Sequence, residues 1–199
     1  MHITERMTIC GLSELPPDKS AGITHLLSIL DPGYPVPDHL SRYDNHHRLD
    51  LRFHDVLSNS YYEEKPNEQI IHKILSFGQK FIPKESAKNQ THLLIHCHMG
   101  ISRSTAAMSI LLAQHFPEAK PEEIFKRVRD IRPIAWPNSL MIKMADHILG
   151  KNGNLLEGLY HHYAYQLNQL SDDFFKGLRY YKRDEEIEIA KSMAQKLLI

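Results

Sequence analysis

Apolar positions along the chain recur at two different periods. Met7-Thr8-Ile9-Cys10 is short and β-prone, and Gly11 breaks it. Ile23-Thr24-His25-Leu26-Leu27-Ser28-Ile29-Leu30 is a longer apolar run, closed by Asp31-Pro32-Gly33 with Pro35 and Pro37 beyond. A run of that length between turn residues predicts a buried strand. Arg48-Leu49-Asp50-Leu51-Arg52-Phe53 alternates polar and apolar, the period of a half-buried strand. Between Pro66 and Pro83 the period lengthens: Ile70, Ile71, Ile74, Phe77 and Phe81 fall at helical spacing. Thr91-His92-Leu93-Leu94-Ile95-His96 is strand-like again, and residues 104–116, rich in Ala, Met and Leu, predict a helix. Further helices are predicted over 121–130 and 138–149. Strands alternating with helices imply an α/β domain, its central sheet mostly parallel and flanked by helices.

Gly150-Lys151-Asn152-Gly153-Asn154 interrupts the pattern. Beyond it, 155–170 and 172–199 read as helices, the second with Ile187, Ala190, Ala194 and Leu197 on one face and Glu and Lys on the other. The expected organisation is therefore one domain over 1–150 and a helical C-terminal extension over 151–199, packed on the domain or on a partner. The charged stretch 179–188 reads as a solvated helix face, while the pairs Phe174-Phe175 and Tyr180-Tyr181 are available to dock the extension. No internal repeat is present.

Composition narrows the function classes. The chain has 199 residues, 42% of them hydrophobic and 24% charged, the balance of a globular protein with a real core. Lys and Arg total 24 and Asp and Glu total 24, so bulk charge advertises neither a nucleic-acid nor a membrane-surface partner. Two cysteines, Cys10 and Cys97, cannot build a disulfide framework and suit a reducing compartment. No apolar run approaches the roughly 20 residues that span a bilayer. The stretch Met1-His2-Ile3-Thr4-Glu5-Arg6 lacks the layout of a secretory signal, so a cytoplasmic location is expected.

The chemistry concentrates after the strand ending at His96. A thiol, Cys97, sits at the strand end, Gly100 follows three residues later, and Arg103 comes six residues after the thiol where a helix begins. Amides of such a strand-loop-helix can converge on an anion at the helix N-terminus. Gly100 lets the backbone turn, and Arg103 supplies a planar fork of donors matched to two phosphate oxygens. A helix N-terminus, convergent amides and a guanidinium are the surroundings that favour a thiolate, the nucleophilic form of cysteine. Attack of that thiolate on phosphorus would form a phosphocysteine that water then hydrolyses. Ser104 can donate its hydroxyl to the sulfur as it departs, and no metal is required.

The run His96-Cys97-His98-Met99-Gly100-Ile101-Ser102-Arg103-Ser104 resembles the His-Cys-five-residues-Arg-Ser/Thr signature of the protein tyrosine phosphatases, and its second half most resembles the dual-specificity branch. The resemblance covers residues 7–149 and leaves the extension outside. It implies a central mixed sheet flanked by helices, no cofactor, and a phosphate cradle made by His98, Met99, Gly100, Ile101, Ser102 and Arg103, with His96 as an orienting neighbour. It also implies a general acid, an Asp on an upstream loop. Asp55, just after the strand ending at Phe53, fits that position; Asp50 inside the strand and Asp44 before it are poorer candidates, and His54 can tune or substitute. Arg132-Pro133-Ile134-Ala135-Trp136-Pro137-Asn138 resembles the family's Pro-Asn segment, with Asn138 supporting the phosphate loop.

The expected activity is hydrolysis of phosphomonoesters, most simply protein phosphotyrosine, with phosphoserine or phosphothreonine open. Inositol phosphates, phosphoinositides and RNA 5′ ends are alternatives within the same chemistry, though His98, Met99, Ile101 and Ser102 supply no lysine for a highly charged headgroup. A phosphate-binding pseudophosphatase is a different class, at odds with intact Cys97, Arg103 and Ser104. A third class, metal binding by alternating His92, His96 and His98, competes poorly because the loop already explains two of them. Cys10 and Trp136 read as packing residues, and His46-His47 and His161-His162 as exposed polar ones.

Overall fold

A computed structural model describes residues 6–17, 21–43, 46–58, 63–81 and 91–197. Four strands, β1 (Arg6–Cys10), β2 (His25–Leu30), β3 (His47–Arg52) and β4 (His92–His96), form one sheet in the order β1-β4-β2-β3. Every pairing among them is parallel. Parallel strands need crossovers, and α1 (Glu68–Phe81) makes the one from β3 to β4. The remaining helices are α2 (Arg103–His115), α3 (Pro121–Ile131), α4 (Ser139–Ile148), α5 (Asn154–Gln166), α6 (Asp172–Tyr180) and α7 (Asp184–Lys196). Pro83, expected to stop α1, lies outside the described residues, as does Asp44.

Alternation along the strands sends side chains to two cores. Ile9, Leu27, Ile29, Leu93 and Ile95 meet the helices in the larger one. Cys10, Leu26 and Leu94 face a smaller one closed by Leu15, Ile23, Leu40 and Tyr43. The helix α2 runs through the larger core and is buried from Arg103 to Ala113, which explains its apolar composition on all sides. No helix among the described residues is long and apolar enough to cross a membrane.

Because all strands run the same way, the segments after β1, β2, β3 and β4 emerge at one edge of the sheet, where ligands of parallel α/β folds bind. The register adds an offset: Cys10 and Ser28 both stand beside His96, whereas β2 and β3 continue together to Leu30 and Arg52. Asp31 and Phe53 therefore overhang the loop that follows β4.

The last segment departs from the expected single helix over 172–199. It forms α6 and α7, separated by a turn in which Lys182 takes φ 56°, the left-handed region. That reversal folds α7 back onto α5 and drives Arg183 inward. The stretch 179–188 is accordingly not one solvated face: Arg183 is 2% exposed and Glu186 0%, while Arg179, Asp184 and Glu188 stay outside. Phe175, Leu178, Ile187 and Ala190 join the main core, and Phe175 packs edge-on against Trp136. His162, expected outside with His161, is buried with Leu155, Leu159 and Tyr163 on the inner face of α5. It accepts from Arg129 Nη1 (2.9 Å) and donates to the Ala135 carbonyl (3.0 Å), and burial holds its pKa down to about 3.

Truncating Ile187 to Ala should therefore cost about 2–5 kcal/mol, a core-cavity value. Urea unfolding of the full chain checks this; a loosely attached extension would show almost no change.

Candidate active site

Cys97 sits one residue past β4, buried beneath a loop that ends at the first turn of α2. Its Sγ lies 3.2 Å from the Ser104 hydroxyl, itself fully buried. Between them the carbonyls of His98 to Ser102 are each bonded to other segments or to the first turn of α2. The His98 carbonyl accepts from Leu12 N–H (3.0 Å), and those of Met99 and Gly100 accept from Arg132 (3.1 Å each). The Ile101 carbonyl accepts from Trp136 N–H (2.9 Å), and that of Ser102 from Ala106 N–H (2.9 Å) and the Thr105 hydroxyl (2.9 Å). With carbonyls engaged behind the loop, its amides are left for an anion.

Two features make this geometry possible. Gly100 takes φ 67°, and a Cβ there would stand 2.4 Å from the Cys10 carbonyl carbon, so only glycine lets the loop lie against the end of β1. Arg132, at the end of α3, is steadied by Glu14 (3.0 Å), which also accepts from Gly11 N–H (2.6 Å); these bonds hold the Glu14 carboxyl below its usual range. Arg132 thus ties the loop's outer face to the turn after β1.

Arg103 opens α2 and reaches across the overhanging strand ends. Its Nη1 donates to Asp31 Oδ1 (2.6 Å) and to the Phe53 carbonyl (2.7 Å), while Nε is buried with no acceptor among the described residues. One edge of the fork is anchored and the other is left for a ligand. Asp31, read from sequence only as part of a turn, is therefore a site residue; its backbone N–H also donates to His98 Nε2 (3.1 Å). An accepting Nε2 requires a neutral His98, in keeping with burial lowering its pKa against the pull of Asp31.

Asp55 stands beside the same loop. Its Oδ1 accepts from Ser102 Oγ (2.7 Å), Asn138 Nδ2 (2.9 Å) and Arg183 Nη1 (3.2 Å). Burial pushes this carboxyl upward, but the charges of Arg183 and Arg103 and the bonds from Asn138 and Ser102 outweigh it and hold it below the usual carboxylate range. Asn138 caps α4 by accepting from Met141 N–H (3.0 Å), which aims its amide at Asp55. His54 serves the loop's shape: its Nδ1 accepts from Glu64 N–H (2.8 Å) while its own N–H donates to the Glu64 carbonyl (2.7 Å). Asp50 is instead on the solvent face of β3, paired with Arg48 (2.7 Å).

The remaining expected residues fall around this arrangement. His96 ends β4, fully buried, with its pKa brought down to about 4 chiefly by that burial. His92 is occupied elsewhere, bonded to Thr8 (2.9 Å) and the Ala21 carbonyl (2.8 Å), so the three alternating histidines do not converge. Cys10 is free and buried, its pKa raised to about 12 mainly by burial.

Above Cys97 opens a cavity of about 640 Å³. Asp31, Asp55, Cys97 and Arg103 form its floor, and Phe174, Leu178 and Tyr181 from the C-terminal segment form one wall. Phe174 and Tyr181 were read from sequence only as residues that dock the extension, and Leu178 and Arg183 were not singled out. The sole signal was Arg183 and Glu186 three apart in a helix-like run, a pattern that solvated faces share.

No protein-family model matches the chain. A stretch of 55 residues, 27% of the chain, is 42% identical to the human protein phosphatase Slingshot homolog 3, and the match spans 8% of that protein. Among solved structures, the Yvh1 phosphatase domain from Chaetomium thermophilum superposes with a TM-score of 0.54 at 20% identity, covering 78% of this chain and 96% of that one. Human DUSP28 gives 0.53 at 17% identity, over 73% of this chain and 94% of that one. The fold is that of the dual-specificity phosphatases. A third likeness, to the human tyrosine phosphatase-like serine/threonine/tyrosine-interacting protein, gives 0.51 at 20% identity over 72% of this chain and 87% of that one. On this dual-specificity phosphatase fold, α6 and the turn that follows it contribute to the lining of the cavity.

Replacing Gly100 by Ala should displace the loop, because the added carbon meets backbone rather than a flexible side chain. Calorimetric titration with tungstate, an oxyanion probe, is expected to show affinity weakened at least about tenfold, in line with loss of one or more charge-assisted hydrogen bonds.

Proposed function

We propose that this protein is a cysteine-dependent phosphatase that hydrolyses phosphomonoesters through a phosphocysteine, with phosphotyrosine in proteins as its substrate. The observation that carries the reading is the loop around Cys97: carbonyls bonded outward, a thiol at its centre, and Arg103 anchored at Nη1 with Nε open.

In the first step Cys97 Sγ, as thiolate, forms a bond to phosphorus while the bond from phosphorus to the ester oxygen breaks. Asp55 transfers a proton to that oxygen, so the leaving group departs as a neutral alcohol or phenol. Loop amides and Arg103 stabilise charge on the three equatorial oxygens. In the second step water attacks phosphorus, Asp55 takes its proton, and the phosphorus–sulfur bond breaks. Ser104, 3.2 Å from the sulfur, donates to the departing thiolate.

The cavity supports an aromatic ester on a protein. Its floor binds one phosphate, since both arginines there are already partly neutralised, Arg103 by Asp31 and Arg183 by Asp55 and Glu186. A polyphosphorylated headgroup would demand more free cations than Lys182, the single lysine lining the cavity among the described residues, supplies. Ile101, Phe174 and Leu178 line the walls, and Met99 (57% exposed), Tyr180 (82%) and Tyr181 (60%) stand at the mouth. Tyr34 adds a ring against His98 at 4.6 Å. Such an apolar lip around a polar floor suits a phenyl phosphate presented by a peptide. The two unpaired cysteines support action in the cytoplasm.

Hydrolysis of an aryl phosphate should be metal-independent and blocked by vanadate, and Cys97→Ser should abolish it; activity surviving that change would overturn the reading. Asp55→Asn should slow turnover about 10²–10⁴-fold on esters with poor leaving groups and far less on good ones, as loss of a general acid requires. A uniform loss across a leaving-group series would exclude Asp55 as the acid.

A further inference from the structure

We infer that Arg183, supplied by the turn between α6 and α7, is a positioning residue of the active site: it clamps one oxygen of Asp55 to the phosphate loop and leaves the other oxygen to carry the proton. The inference rests on the reading of the protein as a phosphatase with Asp55 as its acid.

Arg183 uses its whole guanidinium. Nε donates to Glu186 Oε2 (2.9 Å), Nη1 to Asp55 Oδ1 (3.2 Å) and to the Asp55 carbonyl (3.3 Å), and Nη2 to Ser102 Oγ (2.8 Å). The Ser102 hydroxyl in turn donates to Asp55 Oδ1 (2.7 Å). One planar group therefore bridges the acid-bearing loop after β3 and the phosphate loop after β4. A cation serving only to neutralise Glu186 would not need either of them.

Asp55 is left asymmetric by this arrangement. Oδ1 takes three donors, from Ser102, Asn138 and Arg183, whereas Oδ2 receives none among the described residues. Protonation is thereby directed to Oδ2, and Asp55 lines the cavity above Cys97. Glu186 fixes Arg183 in turn, since it also accepts from Trp136 Nε1 (2.8 Å), Ser139 N–H (2.9 Å) and the Tyr163 hydroxyl (2.9 Å). The left-handed Lys182 (φ 56°) aims the chain so that Arg183 enters at this point.

The charge matters as well as the geometry. The groups facing Asp55 are Arg183 from the α6–α7 turn, Arg103, Ser102 and His98 from the phosphate loop and α2, Asn138 from the start of α4, and Tyr163 from α5. Of these, Arg183 exerts the largest attraction on the carboxylate. Its removal should let Asp55 hold its proton to higher pH.

The test is the pH dependence of kcat on aryl phosphates of graded leaving-group ability, using the full chain. In Arg183→Gln the limb on which kcat falls with rising pH should move upward by about one unit, the usual effect of deleting one adjacent opposite charge. On the plateau below that limb, where Asp55 is protonated in both proteins, turnover of poor leaving groups should drop about tenfold while KM stays within about twofold, as loss of acid alignment would give. The double variant Arg183→Gln/Glu186→Gln removes the carboxylate that the single change leaves unpaired and should show the same shift. A limb that stays in place in a folded neutral variant overturns the inference. Arg183→Lys keeps a charge beside Glu186 but cannot bridge two loops, so it decides the case if neither neutral variant folds. Loss of turnover on poor leaving groups with unchanged tungstate affinity then supports the inference, and parity with the natural chain overturns it. If Asp55→Asn leaves the limb intact, the assignment of the acid falls and this inference with it. If Asp55→Asn abolishes the limb and the Arg183 variants do not move it, the inference alone falls.

Discussion

An ion pair sealed inside the protein, Arg183 with Glu186, ties α6 and α7 to Asp55 and the loop around Cys97. Taking both charges out of water costs several kcal/mol per ion unless every remaining donor and acceptor is satisfied. Here they are nearly all satisfied. Glu186 accepts from four donors on four segments, and Arg183 distributes its nitrogens over Glu186, Asp55 and Ser102. The pair stays buried only while α4, α5, the Trp136 segment and both loops hold their places, so displacing any one of them would leave a charge without compensation.

A second constraint acts on the other side of the loop. Backbone amides can face an anion only if the carbonyls of the same peptides find partners behind. The turn after β1 and Arg132 supply those partners, and Gly100 permits the close approach that brings them into reach. Anion binding is thus prepared from outside by a strand end, a helix end and a glycine. Asp31 performs the corresponding task for Arg103, fixing Nη1 while Nε keeps no acceptor among the described residues.

These two supports differ in what they allow. The back of the loop is braced by the turn after β1 and the end of α3, elements of the main α/β body, whereas Asp55 is held both from that body, by Ser102 and Asn138, and from the turn between α6 and α7, by Arg183. The cavity wall carries the same division, since His98 and Met99 belong to the body and Phe174, Leu178 and Tyr181 to the extension.

What the sequence determined by itself was local. The strand, loop and first turn around Cys97 occupy one contiguous segment, and Gly100, Arg103 and Ser104 themselves lie within seven residues of the thiol, so spacing alone exposed them. Strand periods and helix punctuation likewise yielded the α/β body, because each depends on neighbours within a few positions. Asp55 was legible only through a family likeness, and its orienting donors were not. Arg103 meets Asp31 across 72 residues, Arg132 meets Gly100 across 32, and Arg183 meets Ser102 across 81 and Asp55 across 128. A charged residue in a helix-like run looks the same whether it faces water or a buried carboxylate. Only the reversal at Lys182, which carries α7 back over α5, decided that Arg183 would face Asp55 and Ser102.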